Sequence, residues 1–579
     1  SVFFGFFAPA GTPRSIIERL VAPSVTPASR WPAPGGHPLV TLQQAAVNAA
    51  RSELLSARGG IVAVNGPPGT GKTTLLRDIV ASCVLDRAKA MAAFDDPLAA
   101  FKITGQKVAA GDRAFLHLYS LDDSLKGHEV VVASSNNKAV ENVSRELPAL
   151  KAVGRDVRYF RTVSDRLMSR KTEDGQYVGG EPTWGLIAAV LGNALNRGAF
   201  QQALWWDDDR SLRLYLKAAK GDSVVREVKD EAGQVIRREI PSIIETEAPP
   251  DPEQAKVNWR KVKAAFKALL AVVEKELGAL EEVRQVCFQL APARAAMKAA
   301  ADELAKATNI KERLAGVLTD AARAQQTAEA SEAEARRREQ QGYADRPAWW
   351  HRLFNTQRNQ RWRTAYAPLA KDLAEAERLT ASAITAFRKA EQESRQADAV
   401  CRSVRERFEA AQLKHGSIER LVEQHRQVLG ERLVDEKFFD ANHARWNLAS
   451  PWLPDTLHQK REDLFALAMG LHKAFIDVAA QKVSHNLGVL MGAMSAGAFQ
   501  DEAKKALLPD LWSTLFVVCP VVSTTFASVD RMLGDMPPAS LGWVLVDEAG
   551  QATPQSAAGL LMRARKAVVV GDPLQIPPV

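Results

Sequence analysis

IVAVNGPPGTGKTT, residues 61–74, decides how this chain is read. Ile61–Asn65 is a short β-branched run bounded by glycine, the pattern of a buried strand. TLLRDIVASCV (Thr74–Val84) follows with the pattern of a helix. Between them Gly66, Pro67, Pro68, Gly69, Thr70, Gly71, Lys72, Thr73 and Thr74 spell a P-loop in its required strand–loop–helix setting. Its glycines let backbone N–H groups converge on phosphates. Lys72 brings a positive charge to the β/γ-phosphates, and the Thr73 hydroxyl suits Mg²⁺. A Gly-rich turn without this context would carry no such meaning.

The same chemistry needs carboxylates on a neighbouring strand. VLVDEAGQ (Val544–Gln551) supplies an apolar run ending in two of them. Asp547 is expected in the Mg²⁺ shell, and Glu548 is expected to orient or deprotonate an attacking water. Alone, such a run marks only a strand end; beside a P-loop it reads as catalytic. AVVVGD (Ala567–Asp572) leads into GDPLQIPPV, where Gln575 follows on a loop at the sheet's C-terminal edge. Open α/β sheets bind ligands at that edge, and a neutral amide there can follow the γ-phosphate.

Further buried-strand signatures are EVVVA (Glu129–Ala133), VRYF (Val157–Phe160), LFVVCPVV (Leu515–Val522) and GWVLVD (Gly542–Asp547). The fold class is therefore α/β, a parallel sheet split by a helical insertion of roughly 300 residues or more. Residues 222–241 alternate around Glu231-Ala232-Gly233 and predict a hairpin. From 256 to 430 the chain is rich in Ala, Glu, Lys, Arg and Gln, as long helices are. Phe266, Val273, Leu280 and Cys287 recur every seven residues, with Leu270 and Leu277 on the second seam. Leu369, Ala376, Ala383, Ala390, Ala397, Val404 and Ala411 form another heptad row, with Leu373, Phe387 and Phe408 beside it. Pro292 predicts a kink or break. The pattern lapses at GYADRPAWWHRLFN (Gly342–Asn355), the expected tip of an antiparallel coiled-coil hairpin. Arms of roughly 50 residues would project that tip by about 75 Å.

Bulk properties bound the rest. A chain of 579 residues exceeds one hydrophobic core, and 46% hydrophobic with 25% charged residues excludes wholesale disorder. A net charge of +8 fits a polyanionic partner and equally a mildly basic soluble protein. Cys83, Cys287, Cys401 and Cys519 stand far apart without a CxxC pair, which excludes a disulfide framework or zinc finger. That usage suits a reducing cytosol, so a cytoplasmic location is expected. No apolar run approaches the ~20 residues of a membrane span. SVFFGFFAPAG lacks an initiator Met and a basic flank, so a signal peptide is not expected and the chain reads as an excerpt.

GPPGTGKT, DEAGQA and GDPLQIPP, in that order, resemble motifs I, II and III of superfamily 1 helicases. The nearest branch is the 5′→3′ group containing the nonsense-mediated-decay helicase, motors built on AAA-type P-loop NTPase domains. LVTLQQAAV (Leu39–Val47) resembles the family's Q motif, which would set Gln43 against the adenine. VVVASSNNKAVENV (Val130–Val143) resembles motif Ia, which would place Ser135, Asn136 and Asn137 near a nucleic-acid backbone. PVVSTTFASV (Pro520–Val529) is similar to the strand-loop before motif II, making Ser523 and Thr524 phosphate-contact candidates. Ser, Thr and Asn after a strand also serve as ordinary helix caps.

The resemblance implies a RecA-like motor domain in two parts, residues 38–165 and 510–579, that binds ATP and Mg²⁺. It implies Lys72, Asp547, Glu548 and Gln575 as catalytic, and single-stranded DNA or RNA as partner, since these motifs contact backbone. It also implies a second RecA-like domain, with arginines reaching the γ-phosphate, beyond Val579. Residues 1–37 form a lead segment without an assigned role. Residues 166–255 are an accessory insertion, 256–430 the coiled-coil hairpin and 431–509 a helical return.

The tip carries its own signal. Gly342–Arg363 holds Arg346, Arg352, Arg358, Arg361 and Arg363 against Asp345 alone, interleaved with Trp349, Trp350, Phe354 and Trp362. Three readings stand: a single-strand grip centred on Trp349 and Trp350, a structural cap on the helices, or a protein-docking tip. Chromosome-maintenance ATPases share a P-loop, coiled coil and late carboxylate strand, but RMLGDMPPASLGW (Arg531–Trp543) lacks their LSGG-type loop. A non-enzymatic alternative is a coiled-coil interaction module that uses nucleotide as a switch.

Overall fold

Apolar, β-branched strands separated by helical segments have one stable arrangement, a parallel sheet buried on both faces. The computed structural model describes every residue except 1, 6–13, 57–58, 67–70, 110–113, 172–176, 230–234, 497–498, 500 and 573–579. Its main sheet is built from β1 (Val2–Gly5), β2 (Gly60–Asn65), β3 (Val130–Ser134), β4 (Ala188–Val190), β5 (Val521–Thr525), β6 (Leu541–Val546) and β7 (Ala564–Gly571). Across the sheet they run β1-β2-β7-β6-β3-β5-β4, every pair parallel. The last two strands in sequence therefore sit in the middle, with Val568 beside Val62 and Leu545 beside Val132. β3, β5 and β6 are buried along their whole length.

The helices that cover the sheet include α1 (Thr41–Ser56), α2 (Lys72–Met91) and α3 (Asn137–Glu146). Two long helices follow, α4 (Pro252–Ala344) and α5 (Gln357–Leu429), then α6 (Asp455–Val478), α7 (Ala480–Ala496) and α8 (Leu508–Val518). Among the described residues no helix is long and apolar enough to cross a membrane.

Several expectations are corrected. Leu515–Val518 belong to α8, and the strand begins only at Val521. A short apolar run does not distinguish a buried helix from a buried strand. Pro520 makes the break by driving Cys519 out of the helical region, to φ −123°, ψ 89°. Val157–Phe160 form no strand: Tyr159 makes one bridge to Gly185, and Phe160 turns into the left-handed region at φ 47°. The sheet position is taken by β4 instead. α4 runs unbroken through Pro292, and α5 through Pro368, each proline removing one bond from a long ladder. The hairpin of Phe101–Ala109 with Phe115–Leu121 gave no alternating signal that was read. The expected hairpin pairs Arg226–Lys229 with Val235–Glu239, and its turn residues lie outside those described.

The lead segment also has a place. Trp31 is buried, its indole N–H donates to the Ala152 carbonyl at 2.9 Å, and its backbone N–H donates to Asp78 on α2 at 2.8 Å. β1 adds a strand at the sheet edge beside β2.

The chain divides into two units, Ser1–Arg284 with His425–Val579, and Gln285–Gln424. The first part of α4 belongs to the sheet unit, where Trp259, Phe266, Val273 and Leu277 are buried in its core. The heptad stripe there faces the sheet domain rather than α5, because such a stripe specifies an apolar face and not its partner. In the second unit α4 and α5 pair through Lys311–Asp398 at 2.9 Å, Glu303–Arg407 at 3.3 Å and Arg336–Glu377 at 2.9 Å. Partner numbers rise on one helix as they fall on the other, so the two run antiparallel. Ala307, Cys401 and Val404 form a small apolar cluster between them, with Leu304 against it.

Two histidines on α6 are buried in neutral form. His458 accepts from the Arg461 guanidinium at Nδ1 (3.3 Å) and faces the Ser450 hydroxyl at 3.2 Å. His472 donates Nε2–H to the Val84 carbonyl at 3.3 Å. Burial, aided by nearby arginines, pushes their pKa down to about 2 and about 3. Both folded values lie below the unfolded value of about 6.5. Their stabilisation is therefore complete above that pH and is lost as pH falls, by up to about 1.4 kcal/mol per pH unit each. Urea midpoints should drop between pH 7.5 and 5.5, and His472→Gln should flatten that dependence. Equal slopes for the two proteins would contradict this assignment.

Candidate nucleotide site

The site grows from the junction of β2 and α2. Gly71 precedes α2 in the left-handed region, at φ 77°, ψ 38°. The backbone favours glycine there, and a Cβ on residue 71 would approach the end of the Gln43 side chain to 2.5 Å, so that side chain would have to yield. The same contact sets the Gln43 amide, from α1, against the end of the P-loop. No side chain caps α2 and no acidic residue sits in its first turn. Its first N–H groups, with Lys72 and Thr73 among them, form a helix N-terminus of the kind that favours anions. Pro67, Pro68, Gly69 and Thr70 lie outside the described residues, as does Gln575.

Sheet order brings the carboxylates to this point. The Gly66 N–H donates to the Gly571 carbonyl at 2.9 Å, tying the loop's entry to the end of β7. The Asp547 N–H donates to the Ala133 carbonyl at 2.9 Å, continuing the ladder past the end of β6. Burial raises the Asp547 pKa, while the Glu548 N–H at 2.9 Å and the Lys72 charge oppose that rise. Lys72 and Asp547 thus act on one another across the site.

Glu548 sits at φ 52°, a left-handed conformation that costs a non-glycine residue on the order of 1–3 kcal/mol. Among the described residues its buried Oε2 has no hydrogen-bond partner, and neither has the Asn65 Oδ1 at the end of β2. Buried polar atoms are nearly always paired, so these two mark where a ligand or water belongs. Asn65 was not singled out from sequence; the signal was a polar residue closing an apolar strand. Gly550 lies so close to the Asp572 carbonyl that a Cβ would come within 2.6 Å. A cleft lined by Asn65, Ala549, Gly550, Gly571 and Asp572 opens beside Asn65. Among the described residues no group of three or more His, Cys, Asp or Glu could hold a metal. A P-loop metal needs none, because one hydroxyl, one carboxylate and the phosphates complete its shell.

The other candidates separate. Ser135 is exposed just past β3, and its hydroxyl donates to the Gln551 carbonyl at 3.2 Å. Asn136 caps α3 by accepting the Lys138 N–H at 2.9 Å, and Asn137 opens that helix, exposed. Ser523 and Thr524 are corrected. Both lie within β5 at 0% exposure. The Ser523 hydroxyl bonds to Ser144 and to the Val140 carbonyl, and the Thr524 hydroxyl bonds to the Thr525 carbonyl at 3.2 Å. Neither has a surface from which to touch phosphate. Trp349 and Trp350 stand in the second unit, on the short helix Trp349–Leu353.

Residues 500–579, which carry β5, β6 and β7, match a family model described as an AAA domain. The match indicates a superfamily 1 helicase-like AAA domain in this segment. No curated protein matches the chain.

Gly71→Ala should weaken Mg²⁺–nucleotide binding roughly tenfold, from the left-handed strain at φ 77°. Titration of a fluorescent nucleotide checks this, and unchanged affinity would contradict the requirement for a left-handed residue there.

Proposed function

We propose that this chain carries the first motor domain of an ATP-driven helicase or translocase of the superfamily 1 5′→3′ type, acting on single-stranded DNA or RNA. The observation that carries the reading is the buried, unpartnered Glu548 carboxylate oxygen at the sheet edge that also presents Lys72 and Asp547. A water or ligand at that oxygen would satisfy it.

In this reading the α2 N-terminus and Lys72 bind the phosphates, and Gln43 lies against the nucleotide from α1. Thr73 and Asp547 hold Mg²⁺, which neutralises charge on the phosphates. The raised pKa of Asp547 reflects a carboxylate that a cation would bring fully into its ionised form. Glu548 orients water and accepts its proton, its backbone strain holding the side chain in that position. Gln575 senses the γ-phosphate from the loop after β7. Ser135, Asn136 and Asn137 offer exposed polar groups to a strand lying across the sheet's C-terminal edge, and Ser135 links that loop to Gln551 of the carboxylate loop. The arginines that complete such sites belong to a second RecA-like domain. The antiparallel helices are a coiled-coil hairpin inserted in the motor domain.

Glu548→Gln should retain nucleotide while cutting single-turnover hydrolysis about 100-fold or more, the scale of a lost general base. Lys72→Ala should lose nucleotide itself. Wild-type turnover should rise with oligo-dT or oligo-U. Equal turnover with and without either strand would remove the nucleic-acid half of the proposal.

A further inference from the structure

The turn between α4 and α5 separates two sets of aromatic residues that the sequence mixes together. One set closes the helix pair. Trp362 stacks on Tyr366 at 4.9 Å and 15°, and its indole N–H donates to the Gly342 carbonyl at 2.9 Å. Tyr343 packs against Tyr366 at 6.0 Å, and the Arg346 guanidinium lies over the Tyr343 ring at 5.1 Å. The other set closes nothing. Trp349, Trp350, Leu353 and Phe354 are 65%, 50%, 68% and 75% exposed. The structural-cap reading is therefore met by Trp362 and Tyr366, while Trp349 and Trp350 touch only each other and His351 among the ring contacts of the described residues.

Charge divides in the same way. Along the arms, Arg336, Arg338 and Arg395 each pair with a glutamate one turn away, and Arg407 pairs across to Glu303. Between Gly342 and Arg363 the glutamates stop, and Asp345 is the one acid among five arginines. Arg358, Arg361 and Arg363 are exposed, and Arg352 is half-buried with an unpartnered Nε. A solvated helix face alternates its charges, as the arms do. This turn instead offers planar cations and open ring faces at neighbouring positions.

We infer that the Gly342–Arg363 turn is a second binding surface for single-stranded nucleic acid, distinct from the motor domain. Bases stack on Trp349, Trp350 and Phe354, while Arg352, Arg358, Arg361 and Arg363 meet the phosphates. Rings accept any base and guanidiniums any phosphate, so binding is indifferent to sequence and steep in salt. A protein partner would also use Trp and Arg, but as an apolar centre with a polar rim. Here cations interleave with the rings and, among the described residues, no ion pair neutralises Arg352, Arg358, Arg361 or Arg363, which favours a polyanion. The inference does not rest on the ATP site.

The test uses the full chain and fluorescent dT15 and U15 without nucleotide, over a salt series. Trp349→Ala/Trp350→Ala should weaken binding about tenfold, and Trp349→Phe/Trp350→Phe should restore most of it. Arg358→Ala/Arg361→Ala should lower the salt slope by about 1.4, two phosphate contacts on a single strand. Exposure of all four side chains predicts unchanged circular dichroism. Intact affinity and slope in both alanine pairs would overturn the inference, even if either strand still stimulates hydrolysis. Loss of stimulation with intact tip binding would instead count against the motor reading alone.

Discussion

Two strands that arrive last hold the sheet together. β6 and β7 lie between β2 and β3, so the β1–β2 pair never touches β3. Parallel neighbours require long crossovers, and here one crossover is the whole helical insertion. The candidate site inherits this dependence. The P-loop leaves β2, the carboxylates leave β6, and the loop carrying Gln575 leaves β7. None of these ends adjoins another until the sheet is complete, and the Gly66–Gly571 and Asp547–Ala133 hydrogen bonds join them when it is.

Beneath the sheet, buried charges lock the layers around α2. Arg87 and Glu129 face each other at 3.9 Å, each 1% exposed, and Arg87 also donates to the Phe516 carbonyl on α8. Glu129 accepts from the Ser513 hydroxyl at 2.7 Å and the Gly127 N–H at 2.8 Å. Removing one member of such a pair strands the other, at a cost of about 3–5 kcal/mol. Asp78, also on α2, holds the Trp31 backbone, while Arg30 faces Glu462 of α6 at 3.7 Å. Segments from both ends of the chain are thus pinned to the P-loop helix, which orients its N-terminus.

Much of this was legible in the chain. Strong β-branched runs located β2, β3, β6 and β7, and the P-loop and Asp-Glu pair marked their ends. Periodicity failed where burial is complete. The run Leu515–Val518 is apolar at every position, so nothing in its own pattern separated helix from strand. Ser523 and Thr524 misled for a related reason: hydroxyls look like surface groups, yet Ser523 bonds to α3 and Thr524 to the carbonyl of Thr525, within a sheet buried on both faces. The heptads around Phe266 showed a stripe but not that it faces the sheet domain. Close approaches such as Gly71 against Gln43 and Gly550 against Asp572 depend on distant backbone, which no local pattern encodes.

The late arrival of the central strands also sets a timetable for biosynthesis. About 400 residues separate the end of β3 from the start of β6, which at 5–20 residues per second is about 20–80 s of translation. Throughout that interval the β2 edge away from β1 and both edges of β3 await later strands. The insertion fills the same interval with long helices, which form from local contacts and need no distant partner. A nascent chain of this layout shields its incomplete sheet or depends on chaperones to do so, and slowed synthesis extends the exposure of its most aggregation-prone segments.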